Sequence, residues 1–425
     1  MSEWKKVKLK DCCLKIGSGS TPKGGSTVYI ESGTSLIRSQ NVYNLSFDYN
    51  GLTHITEDAA NKLKGVTIFN DDILLNITGD SVARTCIVPK NVLPARVNQH
   101  VAIIRPDSEK MNSRFLNYYL ASPRMQAHML SLAVGKGASR NAMTKQMIEN
   151  FDVPCPPIST QHRIATILSR YDSLIENYQK QIKLLEEAAQ RLYKEWFVDL
   201  RFPGHENTKI VNGLPDGWEK KMFGSVIEYE IGGGWGADTK TSNSIIPAYV
   251  IRGTDMSALD MGALKELPYR FHQDSNYKAR QLMHNDIVFE VSGGSKNEGV
   301  AKTFLVQQEL LDKLDNHVIC ASFCKLIRLK DSSTAYYIYD TLKEWRASGI
   351  TTQYDKRSAS SIVNYRWKDF LSQQEIVIPN EIVLRDYIKK SELIHSSITK
   401  KSSQIRLLTE ARDRLLPKLM SGEIE

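Results

Sequence analysis

The chain has 425 residues, of which 41% are hydrophobic and 24% are charged, and its formal net charge is +8. This length exceeds one ordinary domain, and the composition is that of a globular protein that can bury a core without disulfides or metal. The positive charge favours an anionic partner. Residues 1–10 lack the apolar run of a signal peptide, and no segment reaches the ~18 apolar residues that span a membrane. We therefore expect a cytoplasmic protein without membrane contact.

The cysteines are scattered and mostly lie beside apolar residues, which is typical of reduced thiols in a core. They form no CxxC pair, and the two that lie four residues apart lack matching histidine or cysteine partners, so no zinc site is expected. The six are Cys12, Cys13, Cys86, Cys155, Cys320 and Cys324.

One pattern occurs twice along the chain. At an offset of 214 residues, Trp4 matches Trp218, residues 37–40 match 251–254, and residues 72–79 match 286–293. Further along, residues 98–101 match 315–318 at an offset of 217, residues 151–154 match 376–379 at 225, and residues 182–185 match 405–408 at 223. The changing offset indicates loop insertions on a common scaffold. We therefore predict two similar globular domains.

Each globular half contains short apolar, β-branched runs that predict strands, such as residues 73–77 and 101–104. Gly-rich loops occupy residues 17–25 and 232–236, and a helix is predicted over 113–131. The predicted fold class is therefore mixed α/β (α+β), with the strand order left open.

A long amphipathic helix is predicted after each globular half. The first carries a seven-residue apolar repeat at Ile164, Tyr171, Tyr178, Leu185 and Leu192. The second carries a less regular stripe, interrupted by Lys401, at Tyr387, Ile394, Ile398, Ile405, Leu408 and Leu415. Stripes of roughly 50 Å are too long for a small domain to cover. We predict that the two helices pack on each other as an antiparallel coiled coil, which gives the repeat a pseudo-twofold axis. The alternative is that each helix packs on its own domain.

The predicted layout has five segments along the chain. These are a globular domain at 1–157, a central helix at 158–197, a Pro/Gly linker at 198–217, a second globular domain at 218–380 and a C-terminal helix at 381–425.

Motifs for catalysis are missing from the sequence. It contains no phosphate-binding loop, no dinucleotide fingerprint and no HExxH or GxSxG stretch. The acidic residues Asp71, Asp72, Asp286 and Glu290 fit turn and strand positions better than a nuclease site. His100 and His317, taken as a repeated pair, fit core or hydrogen-bonded histidines better than catalytic bases. We therefore predict a binding protein with no catalytic and no metal-binding residues.

Three segments resemble signatures of the specificity subunits of type I restriction–modification systems. They are WFVDLRFPG at 196–204, LPDGW at 214–218 and LLPKLMSGEI at 415–424. One departure concerns the Glu-Gln pair that often opens the helices of this family, since this chain has Thr160-Gln161 and Arg385-Asp386 instead.

The resemblance implies two target-recognition domains held apart by an antiparallel pair of helices, each reading one part of a bipartite, double-stranded DNA target. It also implies two docked methyltransferase subunits, and restriction subunits in the full complex. No cofactor is expected on this chain, because S-adenosylmethionine, ATP and Mg²⁺ would belong to those partners.

DNA contacts are expected in the loops, where the two copies differ. Arginine can pair with guanine, and Gln or Asn with adenine, whereas a phosphate contact is the simpler expectation for lysine. In the first domain the candidates are Ser18, Ser20, Thr21, Lys23, Arg38, Gln40, Asn41, Thr78, Ser81, Arg84, Lys136 and Arg140. In the second they are Trp235, Lys240, Arg252, Thr254, Asp255, Ser292, Lys296, Lys302, Lys356 and Arg357. Because Arg38 and Arg252 repeat in register, a supporting role in the scaffold is an equal alternative for both.

Two other classes of function remain open at this point. The chain could be a duplicated adaptor that binds only protein, or an enzyme whose site assembles from scattered residues. Selection of a gapped sequence from random DNA would distinguish these classes from a specificity subunit.

Overall fold

The computed structural model describes residues 4–134, 141–261, 264, 267–293, 299–357 and 362–424. The chain forms two compact units. Unit 1 comprises Met1–Leu174 and Leu408–Glu425, and unit 2 comprises Ile175–Leu407. The boundary crosses both long helices, so each unit holds one globular domain and a part of each long helix. In the described ranges, no helix combines the length and apolar character needed to cross a membrane.

Unit 1 contains two main sheets whose central strands are rich in buried Ile, Leu and Val. The four-stranded antiparallel sheet has the order Thr85–Ile87, Ile73–Asn76, Val101–Pro106, Cys13–Ser18. The five-stranded sheet has the order Tyr29–Ile30, Thr53–Ile55, Thr34–Ile37, Ala95–Val97, Thr67–Ile68. Two ribbons pair Lys6–Lys8 with Asp152–Pro154 and Val42–Tyr43 with Ser46–Phe47.

The short helices of unit 1 are Glu57–Lys62, Ser113–Ala121, Pro123–Ala133 and Lys145–Glu149. The side chain of Asn112 caps one of them by accepting a hydrogen bond from Phe115 N at 3.0 Å. The single helix predicted over 113–131 is in fact two helices. The backbone is extended at Ser122, and Pro123 occupies the first helical position of the next helix.

Unit 2 repeats this architecture with fewer edge strands. Its four-stranded sheet has the order Ile227–Gly232, Cys324–Leu329, Ile287–Glu290, Thr303–Leu305. Two three-stranded sheets have the orders Tyr269–His272, Ile246–Ile251, Val318–Cys320 and Ser292–Gly293, Val363–Tyr365, Asp355–Arg357. One ribbon pairs Glu219–Met222 with Glu375–Ile378. The short helices are Met256–Asp260, Asp274–Arg280, Gln308–Lys313, Ala335–Ala347 and Trp367–Gln373.

The predicted linker contains a hairpin that pairs Ile210–Val211 with Leu214–Pro215. Its two-residue turn is Asn212-Gly213, with φ values of 50° and 79°. Asn-Gly is the favoured sequence for such a turn, because both residues tolerate positive φ. Part of this segment is therefore regular structure.

The same buried ion pair occurs in both units. Asp72 binds the guanidinium of Arg105 through two hydrogen bonds of 2.7 Å, and Asp286 binds Arg328 through bonds of 2.9 and 2.7 Å. Each carboxylate also accepts a hydrogen bond from the backbone three residues earlier, from Phe69 N at 2.8 Å and from Met283 N at 2.7 Å. Identical bonding at equivalent places shows that the two domains share one scaffold.

The structure corrects the alignment of the later part of the repeat. The strand Thr34–Ile37 pairs in parallel with Ala95–Val97, and Ile246–Ile251 pairs in the same way with Val318–Cys320. These registers match Ile37 with Ile251 at an offset of 214, and Val97 with Cys320 at 223. The ribbons give the same result further along, because Val7 pairs with Val153 and its equivalent Lys221 pairs with Ile376, which matches Val153 with Ile376 at 223. The sequence matches at 217 and 225 are therefore wrong, and His100 and His317 are not equivalent.

The two long helices contact each other within unit 1. The first long helix is Ile158–Tyr193 and the second is Glu381–Ser421. Ile164 and Leu168 share a core with Leu416 and Leu419. Beside this core, Arg412 donates to Asp172 at 2.8 Å. The predicted stripe residues Tyr171, Leu408 and Leu415 are half-buried.

The long helices also contact each other within unit 2. Ile182 packs with Ile398 and Ile405, and Tyr178, Leu185 and Ile394 surround this cluster. Lys401, which interrupts the apolar repeat, places its Nζ 5.5 Å from the ring centre of Tyr178. Near the end of the first helix, the ring of Tyr193 lies 6.2 Å from that of Tyr387 near the start of the second. The two helices therefore run antiparallel in this unit.

Each long helix also packs on a globular domain, so both alternatives from the sequence hold in part. In unit 1 the helix core includes Phe115, and in unit 2 Leu192 packs against the aromatic core around Tyr387. The buried carboxylate of Asp340 accepts hydrogen bonds from three side chains of the second helix. They come from Tyr387 Oη at 2.7 Å, Ser391 Oγ at 2.6 Å and His395 Nε2 at 2.8 Å.

The ion pair makes a testable contribution to the stability of unit 1. The side chain of Asp72 is 0% exposed, so the Asp72→Asn variant leaves Arg105 without its buried counter-charge. We expect a loss of about 3 kcal/mol in the free energy of unfolding of this unit. Urea-dependent hydrogen exchange of the four-stranded sheet measures this loss.

The Asp71→Asn variant is the matched control. Asp71 is exposed at a φ of 65°, and unit 2 has Asn285 at the equivalent place with a φ of 69°. Asparagine tolerates this conformation, so stability should stay within about 0.5 kcal/mol. Equal stability of the Asp71 and Asp72 variants would contradict the role of the ion pair.

Candidate nucleic-acid interface

The predicted contact loops of unit 1 meet at one edge of its sheets, which we call loop edge 1 and define as residues 18–20, 38–41, 77–79 and 97–101. Strands Thr34–Ile37 and Ala95–Val97 are parallel, so both end there. Asn76 ends its strand opposite Val101, and Ser18 ends its strand opposite Ala102. The strand pairing therefore brings together loops that lie far apart in sequence.

Four backbone hydrogen bonds hold loop edge 1 together. They run from Gly19 N to Val101 O at 2.9 Å, Ser20 N to Val97 O at 3.0 Å, Asn98 N to Ile37 O at 3.0 Å and Ile77 N to His100 O at 3.0 Å. Backbone bonds do not depend on the side chains of the loops. The same frame can therefore carry different contact residues.

Unit 2 has the equivalent loop edge 2, which we define as residues 232–235, 252–255, 291–293 and 320–324. Its four bonds run from Gly233 N to Cys324 O at 2.9 Å, Gly234 N to Cys320 O at 2.9 Å, Ala321 N to Ile251 O at 2.8 Å and Val291 N to Phe323 O at 2.9 Å. Each of them repeats a bond of loop edge 1 at the corrected offsets.

One glycine in each Gly-rich loop is required by the scaffold. A Cβ atom on Gly19 would lie 2.2 Å from Val97 O, and one on Gly233 would lie 2.2 Å from Ala321 O. Both distances are far below contact distance, so only glycine lets the loop approach the neighbouring backbone.

Two further segments, at Ala142 in unit 1 and at Asn364 in unit 2, join the same edges. Thr78 bridges to Ala142 in unit 1, and Ser292 Oγ donates to Asn364 Oδ1 at 2.8 Å in unit 2. Lys356 pairs with Asn364 in the adjoining strand and is exposed. Lys136, Arg140 and Lys296 lie outside the described residues, and of Arg357 only the backbone is described.

The candidate contact residues differ in how far their side chains are exposed to solvent. Those that are exposed are Ser18, Ser20, Thr21, Lys23 and Gln40 in unit 1, and Trp235, Lys240, Thr254 and Lys356 in unit 2. Those that are half-buried are Arg38, Thr78, Ser81, Arg84, Arg252, Ser292 and Lys302. Two candidates take part in cation–π contacts, since the guanidinium of Arg84 lies 4.5 Å from the ring centre of Tyr43 and that of Arg270 lies 4.5 Å from the ring centre of Trp235.

Asn41, one of the predicted base contacts, lies inside unit 1. Its side chain is 0% exposed and closes a turn. Its Nδ2 donates to Asp48 O at 2.9 Å and to Asn50 O at 3.2 Å, and its Oδ1 accepts from Arg38 N at 3.0 Å. Arg38 also donates to Gly51 O at 2.6 Å. These bonds favour the supporting role that the sequence left open for Arg38.

Asp255, another predicted contact residue, is engaged within unit 2 in the same way. Asp255 is 8% exposed and binds the guanidinium of Arg252 through bonds of 2.9 and 2.7 Å. It also accepts from Arg252 N at 2.9 Å, as Asn41 does from Arg38 N. The Arg252 guanidinium is therefore engaged inside unit 2, which favours a supporting role here too.

Four further residues lie on the two loop edges but are not among the candidates from the sequence, namely Gln99, His100, Ser322 and Phe323. Gln99, Ser322 and Phe323 are exposed, and His100 is half-buried. With the incorrect offset of 217, Gln99 and His100 were not matched with Ser322 and Phe323. The offset of 223 that matches Ile182 with Ile405 would have paired His100 with Phe323 if applied to this loop.

The chemistry of the two edges is that of a binding surface. They present hydroxyl, amide, aromatic and cationic groups, which match bases and phosphates. No group of potential metal-binding side chains occurs in the described ranges. Burial raises the pKa of the thiol of Cys320, a buried residue of loop edge 2, to about 12. This thiol therefore stays protonated at neutral pH and is a poor nucleophile.

Comparisons with known proteins agree with this description. Residues 1–187 match the family model of the type I restriction modification DNA specificity domain. The chain is 26% identical to the type I restriction enzyme MjaIX specificity subunit of Methanocaldococcus jannaschii, over 99% of this chain and 94% of that one. It is 21% identical to the HindI specificity subunit of Haemophilus influenzae, over the whole of both chains.

A solved structure has the same fold. The type I restriction-modification system S subunit from M. genitalium matches 98% of this chain and 96% of its own, with a TM-score of 0.56 and 13% identity. The resemblance drawn from the sequence motifs is confirmed. The curated relatives are named specificity subunits, in agreement with the prediction of a non-catalytic chain.

Two neighbouring variants separate support from contact at loop edge 1. Asn41→Ala leaves buried backbone groups without partners, so we expect unit 1 to lose about 2–4 kcal/mol of unfolding free energy. Gln40→Ala alters an exposed side chain and should leave stability within about 0.5 kcal/mol. Urea unfolding followed by hydrogen exchange measures both. Equal losses would show that the edge does not divide in this way.

Proposed function

We propose that this chain, which is related along its whole length to type I restriction enzyme specificity subunits, reads two different DNA half-sequences with loop edges 1 and 2. The observation that carries this proposal is that the backbone hydrogen bonds of the two loop edges are the same, whereas the exposed side chains are different. Four backbone hydrogen bonds recur at equivalent places, while the side chains held by them differ. A common frame with different contacts is what a bipartite, asymmetric target requires.

The exposed side chains at the two edges support different base contacts. Loop edge 1 and its neighbouring loops present Ser18, Ser20, Lys23 and Gln40, whereas loop edge 2 presents Trp235 within a glycine-rich loop. Amides and hydroxyls read the hydrogen-bonding edges of bases, and an aromatic ring reads their apolar or stacking surfaces. Exposed lysines would meet phosphates, and the net charge of +8 favours the DNA backbone.

The repeated scaffold supports a second part of the proposal. Two copies of one methyltransferase subunit need two equivalent surfaces, and an internal repeat with the predicted pseudo-twofold axis would supply them. We assign those surfaces to the helices and the scaffold, where the two copies agree, rather than to the loops. Restriction subunits would join through the methyltransferase subunits. S-adenosylmethionine, ATP and Mg²⁺ would act on the partner subunits.

The long helices are proposed to set the distance between the two half-sequences. They have 36 and 41 residues, which corresponds to roughly 54 and 62 Å at 1.5 Å per residue. An antiparallel pair of this length, if rigid, would keep the two edges at a fixed separation. The target would then contain a gap of unread base pairs between its two halves.

A duplicated-domain variant tests the two-part recognition. Residues 218–380 are replaced by a second copy of residues 4–157, so that the chain carries the same loops twice. With its methyltransferase partner and random-sequence DNA, the natural chain should select an asymmetric gapped sequence. The variant should select a palindromic one, built from one half-sequence and its complement.

The converse variant, with two copies of residues 218–380, is the matched control and should select the other half-sequence as a palindrome. Selection of the natural asymmetric sequence by either variant would contradict the assignment of one half-sequence to each unit. A natural chain that binds the methyltransferase but selects no sequence would be an adaptor.

The spacer role is tested by lengthening both helices together. Seven residues, two helical turns, are inserted between Leu174 and Ile175 and between Leu407 and Leu408, where the unit boundary crosses each helix. The added length of about 10.5 Å corresponds to about three base pairs. We expect the methylated sequence to keep both halves and to gain about three unread base pairs.

Insertion in one helix alone is the control for that experiment. It shifts the apolar stripe of one helix against the other, so stability should fall and no longer gap should appear. An unchanged gap in the double-insertion variant, with both half-sequences retained, would rule out the spacer role.

A further inference from the structure

We infer that His100 and Phe323 are specificity-determining residues at equivalent positions of the two loop edges. His100 would read its base by hydrogen bonding, and Phe323 would read a thymine by contact with its methyl group. The inference rests on the proposed function and deepens it, because it assigns different recognition chemistry to the same place in the two units.

The equivalence of the two positions comes from the backbone. His100 O accepts a hydrogen bond from Ile77 N at 3.0 Å, and Phe323 O accepts one from Val291 N at 2.9 Å. The residue after each of them, Val101 or Cys324, accepts from the scaffold glycine of its loop at 2.9 Å. Two consecutive residues are therefore held in the same way in each unit.

The imidazole ring of His100 is held in an orientation that leaves one nitrogen for a hydrogen bond to DNA. Its Nδ1 lies 2.7 Å from Thr78 Oγ1, and its backbone N donates to Asn98 Oδ1 at 3.1 Å. These bonds fix the ring, and Nε2 is then the ring nitrogen that can pair with a base. The bond to Thr78 also explains how a predicted contact residue acts, since Thr78 orients the ring.

Phe323 offers only an apolar ring from an equally fixed position. Its side chain is 58% exposed, and its carbonyl accepts a second hydrogen bond, from Ser292 N at 3.2 Å. A phenyl ring neither donates nor accepts conventional hydrogen bonds. In the major groove, the feature that such a ring can recognise is the thymine methyl group.

The difference between His100 and Phe323 indicates DNA rather than the methyltransferase as the partner of this position. Two identical subunits dock on surfaces that the two units share. A histidine in one unit and an exposed phenylalanine in the other cannot form the same docking contact. Two different half-sequences, in contrast, need such a difference at equivalent positions.

The experiment uses the complex of this chain with its methyltransferase partner and the gapped DNA that the natural chain selects. Each thymine of the second half-sequence is replaced in turn by deoxyuridine, which lacks only the methyl group. With the natural chain, one replacement should weaken binding by roughly fourfold to tenfold. With Phe323→Ala, that replacement should have no effect, and selection from random DNA should lose its preference at that base pair alone.

Two further variants complete the test. Ile245→Ala removes an apolar side chain with an exposure of 47%, just before the strand Ile246–Ile251 and at the end opposite loop edge 2, and should leave the selected sequence unchanged. His100→Ala should relax one base pair of the first half-sequence and none of the second.

The outcomes separate the inference from the proposed function. If the natural complex selects no gapped sequence, the proposed function fails. If it selects one and Phe323→Ala changes nothing, the inference fails alone. Equal binding of thymine and deoxyuridine by the natural complex overturns the methyl contact, and loss of methyltransferase binding in Phe323→Ala would make Phe323 a docking residue instead.

Discussion

Both globular domains depend on a buried carboxylate that holds an arginine and a turn at once. Asp72 binds Arg105 and the backbone of Phe69, and Asp286 does the same for Arg328 and Met283. A buried charge is costly unless it is paired and fully hydrogen-bonded, so this geometry tolerates little change. It anchors the start of a central strand in each unit. Because strand register follows from that anchor, the loops at the other end of the strands are also placed.

The loop edges divide their residues into two groups by hydrogen bonding. Three residues stabilise the scaffold: Gly19 allows two backbone segments to approach closely, and Asn41 and Asp255 make hydrogen bonds within their own unit. The side chains of Gln40 and Phe323 contribute much less to the scaffold, since Gln40 Nε2 makes one long hydrogen bond, to Gly51 O at 3.5 Å, and Phe323 is 58% exposed. Recognition can therefore change at exposed positions while the fold stays the same. This division explains how one scaffold can be repeated in a chain and still carry two different binding surfaces.

Much of the candidate site was predictable from the sequence, because the loops lie next to repeated strands. The Gly-rich loops, the residues after the matched strands and Lys356 all lie at or beside the loop edges. The parts that failed depend on partners distant in sequence. The sequence predicts Asn41 and Asp255 as contact residues because they follow the repeated Arg38 and Arg252 in the loops, but whether a polar side chain points inward depends on which backbone groups need it. His100 and Phe323 were missed because an alignment by residue type followed two histidines, whereas hydrogen-bonded register follows the backbone.

The sequence by itself determined the duplication, the two long helices and the family resemblance. These features rest on residue periodicity and local motifs, which do not need tertiary contacts to be seen. Only the tertiary structure decided which positions of the two copies correspond, which polar residues are buried and which loops share an edge. Loop lengths between the strands differ in the two copies. Equivalent positions therefore follow from the pairing of the strands and not from a constant offset in residue number. The repeated ion pair belongs to both levels, since Asp72 and Asp286 were visible in the sequence as a repeat, but their arginine partners became visible only when the strands were paired.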